Sequence, residues 1–122
     1  MHEIFKQFTF DAAHHLAAIV KEGHPCSRLH GHSFTVTVTL RGEPDPKAKW
    51  IVDFGEFDKA LSHVHDALDH RYLNEIPGLE ISTMENISKW IWDKIKPDFP
   101  QLYRVSIARG TLGEGCSYQE NA

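Results

Sequence analysis

Two histidines separated by one residue, His30-Gly31-His32, open a run that continues Ser33-Phe34-Thr35-Val36-Thr37-Val38-Thr39-Leu40. From Thr35 to Thr39, threonine alternates with valine, the period-2 pattern of a strand with one buried face. Phe34, Val36, Val38 and Leu40 share a parity, and stepping back by two reaches His32 and then His30. Both imidazoles therefore project from the apolar face, where histidines at i and i+2 can reach one metal ion. Gly31 between them is read as a point of close backbone approach. A pair of hydrogen-bonded structural histidines is the competing reading, and a third ligand decides between the two. The stretch Glu3 to His14 supplies one, because Phe8, Phe10, Ala12 and His14 share a face. Antiparallel pairing brings the end of the first strand to the start of the second, and His14 then meets His30 and His32. Three neutral imidazoles with an open fourth position describe a catalytic zinc site, whereas a structural site closes with cysteine. Cys26, four residues before His30, is either that closing ligand or a free thiol serving as base or nucleophile beside the ion.

Other residues offer chemistry further along. Asp69-His70 falls where the first helix is expected to end. A helix C-terminus and a neighbouring carboxylate both favour the imidazolium, and such a pair can carry a proton; a solvated cap is the plain alternative. Thr83 and Glu85 belong to a helix start, whose first turn also presents backbone N–H groups to a ligand. His63 and His65, at i and i+2 on a helix, point to different faces and read as surface residues. His24 and Lys21 lie in the loop before Cys26 and are candidates to hold an anionic substrate, with solvated loop residues the simpler reading. Cys116 has no histidine near it in sequence and reads as inert.

These residues need elements to position them. The loop from Leu16 to Leu29 is too long for a tight hairpin, and loops of that length usually carry function. Arg41 to Lys49 is broken by Gly42, Pro44 and Pro46. Phe57, Ala60, Leu61, Val64 and Leu68 form one helical stripe, with Asp53 and Glu56 complementing the dipole at its start. Ser82-Thr83-Met84-Glu85 predicts a capping box with Ser82 at the cap. Ile87, Trp90, Ile91 and Ile95 make a second stripe, and Pro97 and Pro100 stop it. Tyr103, Val105 and Ile107 alternate as a third strand, and Cys116 to Tyr118 belong to a fourth beyond a glycine-rich turn. The order ββααββ implies an α+β fold, an antiparallel four-stranded sheet with two helices on one face. Such a sheet leaves two edges open, and edge pairing between subunits is a common remedy.

Composition narrows the function classes. A chain of 122 residues suits one domain spanning 1–122, with a core that needs no disulfide staples. The net charge of −4 and the lack of a basic run argue against nucleic acid as a partner. No apolar run is long enough to span a bilayer or act as a secretory signal, so a cytoplasmic protein without a membrane partner is expected. Two cysteines beside nine histidines fit reduced thiols and a metal or proton-transfer role.

Phe10-Asp11-Ala12-Ala13-His14, Cys26-x-x-x-His30-Gly31-His32 and Leu68-Asp69-His70 together resemble the 6-pyruvoyl-tetrahydropterin synthase family. The spacing of Cys26 from His-Gly-His is similar to the bacterial 6-carboxy-5,6,7,8-tetrahydropterin synthase branch of queuosine biosynthesis. The resemblance covers nearly the whole chain, including Trp50 to Phe54 and Lys89-Trp90-Ile91-Trp92. It implies a tunnelling fold (T-fold) in a barrel-like homo-oligomer, a hexamer built as a dimer of trimers, with sites between subunits. It further implies Zn2+ on His14, His30 and His32, with Cys26 taking a carbon-bound proton and Asp69-His70 shuttling protons. The implied substrate is 7,8-dihydroneopterin triphosphate, converted to 6-carboxytetrahydropterin with release of acetaldehyde and triphosphate. A 6-pyruvoyl synthase, or a non-catalytic pterin- or zinc-binding module, is the alternative. One departure stands out: the family's Glu-Thr pair at the end of the third strand reads Ala108-Arg109-Gly110-Thr111 here. Glu114, in the following loop, is the candidate for the missing pterin-anchoring carboxylate, since a carboxylate pairs with a guanidine-like edge through two parallel hydrogen bonds.

Overall fold

The computed structural model describes residues 1–120. Strand β1 (His2–His14) pairs antiparallel with β2 (His30–Gly42) along its whole length. Helices α1 (Phe54–Leu68) and α2 (Met84–Ile95) follow, then β3 (Leu102–Arg109) and β4 (Glu114–Tyr118). The sheet order is β1-β2-β3-β4, so the expected ββααββ arrangement is the one observed.

Parity governs the sheet as the sequence predicts. Phe10, Phe34, Val36, Val38 and Leu40 are buried and share one core with Phe57, Leu61, Val64 and Leu68 of α1 and Ile87, Ile91 and Ile95 of α2. The opposite face carries Ser33, Thr35, Thr37 and Ser106, none of them buried, so both helices cover one side only. Each helix starts on a side-chain cap: Asp53 accepts the Gly55 N–H, and Thr83 accepts the Asn86 N–H.

Three expectations need correction. The cap of α2 is Thr83, not Ser82, because Ser82 is wholly buried and committed to His14. Glu85 therefore sits one position too early to close a capping box; the Asn86 amide instead donates to the Gly78 and Ile81 carbonyls. On α2 the large buried aromatic is Trp92, whereas Trp90 is half-exposed and donates through Nε1 to the Pro77 carbonyl. In β3 the pairing register shifts between Thr39 and Leu40, so Leu102 rather than Tyr103 faces the core opposite Leu40. Tyr103 lies beneath the Arg41 guanidinium instead.

Candidate metal centre

The β1–β2 register places His14 opposite His30 and Ala12 opposite His32. The three imidazoles thus continue the inward stripe in which Phe10 stacks on Phe34, with ring centroids 4.8 Å apart. One nitrogen from each of His14, His30 and His32 lies within 4.8 Å of the others. Ring centroids are 4.5 Å apart for His14 and His30 and 4.7 Å for His30 and His32.

Each ring is steered by a different segment. His14, 1 % exposed, meets both the carbonyl and the hydroxyl of Ser82 through Nδ1, each at 3.0 Å. The carbonyl can only accept, so Nδ1 carries the proton and Nε2 holds a free lone pair. That Nε2 is buried without a hydrogen-bond partner. His30 is fixed likewise, its Nδ1–H donating to the Arg28 carbonyl at 2.7 Å. His32 Nε2 accepts from Arg109 Nη1 at 3.1 Å. Burial and the neighbouring His30 pull the His14 pKa down from 6.5 to about 4. Burial, then Arg109, lowers that of His32. Both shifts favour the neutral ring, the state a metal requires. An orphaned buried nitrogen, tautomers fixed by backbone carbonyls and an all-imidazole donor set fit a divalent cation such as zinc. Gly31 is not needed for close approach, since a Cβ there would meet only the Ala12 carbonyl oxygen, at 3.5 Å.

Asp69 and His70 lie on the other side of the β1 edge. Asp69 caps α1 at its C-terminus, accepts the Asp11 N–H at 2.9 Å and accepts His70 Nδ1–H at 2.8 Å. The Asp11 N–H and then His70 hold the Asp69 carboxyl below its usual range, and Asp69 in turn raises the His70 pKa. His70 adopts φ +56°, a left-handed conformation uncommon for a side-chain-bearing residue, and its N–H is pinned to the Asp11 carbonyl at 2.6 Å. A cavity of about 610 Å³ is lined by His70 and His32 together, with Asp11, Arg71 and Tyr72. One member of the imidazole cluster, His32, and His70 therefore open onto the same space.

The remaining sequence-predicted residues are more dispersed. Cys26 is half-buried in a single 3-10 turn, Pro25–Ser27, and is not part of the imidazole cluster. Its carbonyl accepts the Leu16 N–H at 2.7 Å, tying the turn to the chain two residues beyond His14. His24 caps this turn, accepting the Cys26 N–H through Nδ1. Thr83 is a cap next to Ser82, and Glu85 is exposed on the first turn of α2; neither lines the cavity beside His32. Glu114 opens β4 opposite Arg109, with Oε1 3.5 Å from Arg109 Nη1. It is closer to the centre than its place in a turn suggested.

Two contributors escape the sequence reading. Ser82 reads as a cap in the sequence and instead orients His14. Arg109 stands in the sequence only as a departure, yet its parity with Val105 and Ile107 points it inward, toward His32.

Comparison with known proteins accords with this geometry. A 6-carboxy-5,6,7,8-tetrahydropterin synthase of Synechocystis is 37% identical over 110 residues, covering 85% of this chain and 83% of that protein. A dihydroneopterin monophosphate aldolase of Pyrococcus furiosus is 36% identical over 110 residues, covering 88% and 89% respectively. The solved 6-pyruvoyl tetrahydropterin synthase of Caenorhabditis elegans superimposes with a TM-score of 0.88 at 27% identity, covering 98% of this chain and 96% of that one. Residues 3–121 match the family described as 6-pyruvoyl tetrahydropterin synthase, and the chain belongs to that family.

Proposed function

We propose that the protein is a zinc-dependent carbon–carbon lyase acting on 7,8-dihydroneopterin triphosphate. With one water consumed, the products are 6-carboxy-5,6,7,8-tetrahydropterin, acetaldehyde and triphosphate, placing the enzyme in queuosine biosynthesis. The observation that carries this reading is the shared cavity, lined both by His32 of the imidazole trio and by His70, whose Nδ1–H is held by Asp69. The similarity to the Synechocystis synthase supports the carboxy product.

His14, His30 and His32 would hold Zn2+, which when bound supplies Lewis-acid stabilisation of negative charge developing on side-chain oxygens. Cys26, as thiolate, accepts a carbon-bound proton from the substrate side chain. His70, kept protonated to higher pH by Asp69, delivers and recovers a proton at a side-chain oxygen. Glu114, half exposed beside Arg109, accepts hydrogen bonds from the amino-pyrimidine edge, with the first turn of α2 at Thr83 and Glu85 as a further substrate contact. The edge strands β1, covered only near its end by residues 70–72, and β4 suit assembly into a homo-oligomer, a dimer of trimers with sites between subunits. Among the described residues no helix is long and apolar enough to cross a membrane.

Product analysis tests the reading. Zinc-loaded protein given dihydroneopterin triphosphate should release acetaldehyde and triphosphate together, and turnover without acetaldehyde would refute the carboxy product. The similarity to the Pyrococcus aldolase favours one second reading, cleavage of the monophosphate substrate. Offering both phosphorylation states in parallel separates the two.

A further inference from the structure

The end of β3 places a guanidinium inside a cluster otherwise made of neutral imidazoles. Arg109 keeps only 16% of its side chain exposed, and its Nη1 lies 3.1 Å from His32 Nε2. Its Nε is buried with no acceptor among the described residues. Glu114 Oε1, at 3.5 Å from Nη1 and half exposed, is the only carboxylate oxygen within ion-pair distance of Arg109 among the described residues. Counting neutral histidines, Arg109 and Glu114 cancel, and a divalent cation on the trio leaves the centre with two uncompensated positive charges. Guanidinium offers donors only, and neither it nor the imidazoles can supply that negative charge. An anionic group of the ligand would supply it.

We propose that Arg109 makes this centre an oxyanion-binding site, in which the guanidinium holds an anionic group of the ligand beside the three imidazoles. The inference rests on the pterin reading above and adds a requirement to it: the part of the ligand next to the metal is anionic. Two groups in that chemistry carry such oxygens, the carboxylate formed at C6 and the phosphate tail. Planar bidentate pairing is the strongest use of a guanidinium, and a carboxylate at C6 would distinguish the carboxy product from an uncharged pyruvoyl side chain.

The test is equilibrium binding to the zinc-loaded full chain, read by pterin fluorescence and calorimetry without turnover. The probes are 6-carboxypterin, pterin lacking the carboxylate, and inorganic triphosphate. Wild type should prefer 6-carboxypterin to pterin by about 10- to 100-fold, the span of a charge-assisted hydrogen-bonded pair. Arg109→Gln should abolish that preference when compared with wild type at equal metal content, measured by emission spectrometry. Loss of triphosphate binding in Arg109→Gln, with the 6-carboxypterin preference intact, would equally support an oxyanion site and assign it to the phosphate tail. Arg109→Lys keeps the charge without the planar fork and should retain only part of the preference. It also provides a folded variant if Arg109→Gln is unstable. Unchanged affinity for both anions in Arg109→Gln or, if that variant is unstable, in Arg109→Lys overturns the proposal. Because no catalysis is measured, a protein that binds 6-carboxypterin through Arg109 but releases no acetaldehyde would refute the lyase reading alone.

Discussion

Acidification of the metal-free protein should destabilise it through His14. The ring is 1 % exposed, and its pKa falls from 6.5 to about 4 because burial and the adjacent His30 penalise the charged form. A histidine with a depressed folded-state pKa takes up its proton more readily when unfolded. Its neutral form therefore adds stability fully above pH 6.5, and that stability drains away as pH falls toward 4. At 1.36 kcal/mol per pKa unit the loss across this window is about 3 kcal/mol, a large share of a typical folding free energy. The assay is urea unfolding at steps from pH 7.5 to pH 4 in the presence of chelator, comparing wild type with His14→Gln. The wild-type midpoint should fall steeply through this range. The variant begins less stable, having lost the fit against Ser82, but should lack the same portion of the slope. His32, whose pKa is also lowered, adds a smaller loss of the same sign in both proteins. Parallel curves for the two proteins would refute the assignment of the slope to His14. Zinc should raise the wild-type curve near neutrality and steepen its fall on acidification, since it binds only the deprotonated rings.

Three other outcomes follow from the geometry. Asp69→Asn removes the carboxylate that raises the His70 pKa, so turnover should fall roughly 100-fold or more. Its alkaline limb should also move to lower pH, while circular dichroism stays native. Thr83→Ala removes the side-chain acceptor for the Asn86 N–H and should cost about 1 kcal/mol in urea unfolding without changing metal content. Gly115→Ala would force a Cβ to within 2.6 Å of the Ile107 carbonyl oxygen, against backbone that cannot yield. The β3–β4 pairing should loosen, read as lower thermal stability and weakened ligand binding through Arg109 and Glu114.

The centre was legible because it obeys the period of a strand. The parity that buries Phe34 and Val36 also directs His30 and His32 inward, and the same counting on β1 yields His14. What sequence could not reveal was competition between equivalent local choices. Ser82 and Thr83 are both good caps, and Glu85 three residues after Ser82 favours the former. The tertiary demand of a buried imidazole settled the matter, since Ser82 serves His14 and leaves the cap to Thr83. Likewise, alternation in β3 assigned Tyr103 inward, but the register shift at Thr39/Leu40 turned Leu102 there instead. A shift of that kind leaves no mark in composition. Arg109 was within reach of the counting argument, because Thr35 pairs with Ala108 and the next step along β3 runs toward the histidines. A charged residue on an inward position of a strand end is itself a signal of function.

The tethers of the three rings explain why the centre is tied to the fold as a whole. His14 is oriented from the start of α2, His30 from its own preceding loop, and His32 from the end of β3. No two rings share a support, so the donor set converges only when both strand pairings and the docking of α2 are correct together. A one-residue slip between β1 and β2 would turn His14 to the outer face and put Phe10 into water with it, since both belong to one stripe. The apolar stacking of Phe10 on Phe34 thus enforces the register on which convergence of the imidazoles depends. The chemistry at the strand end is positioned by the dry core behind it, and the fourth strand contributes through Glu114, which faces Arg109 across the β3–β4 pairing.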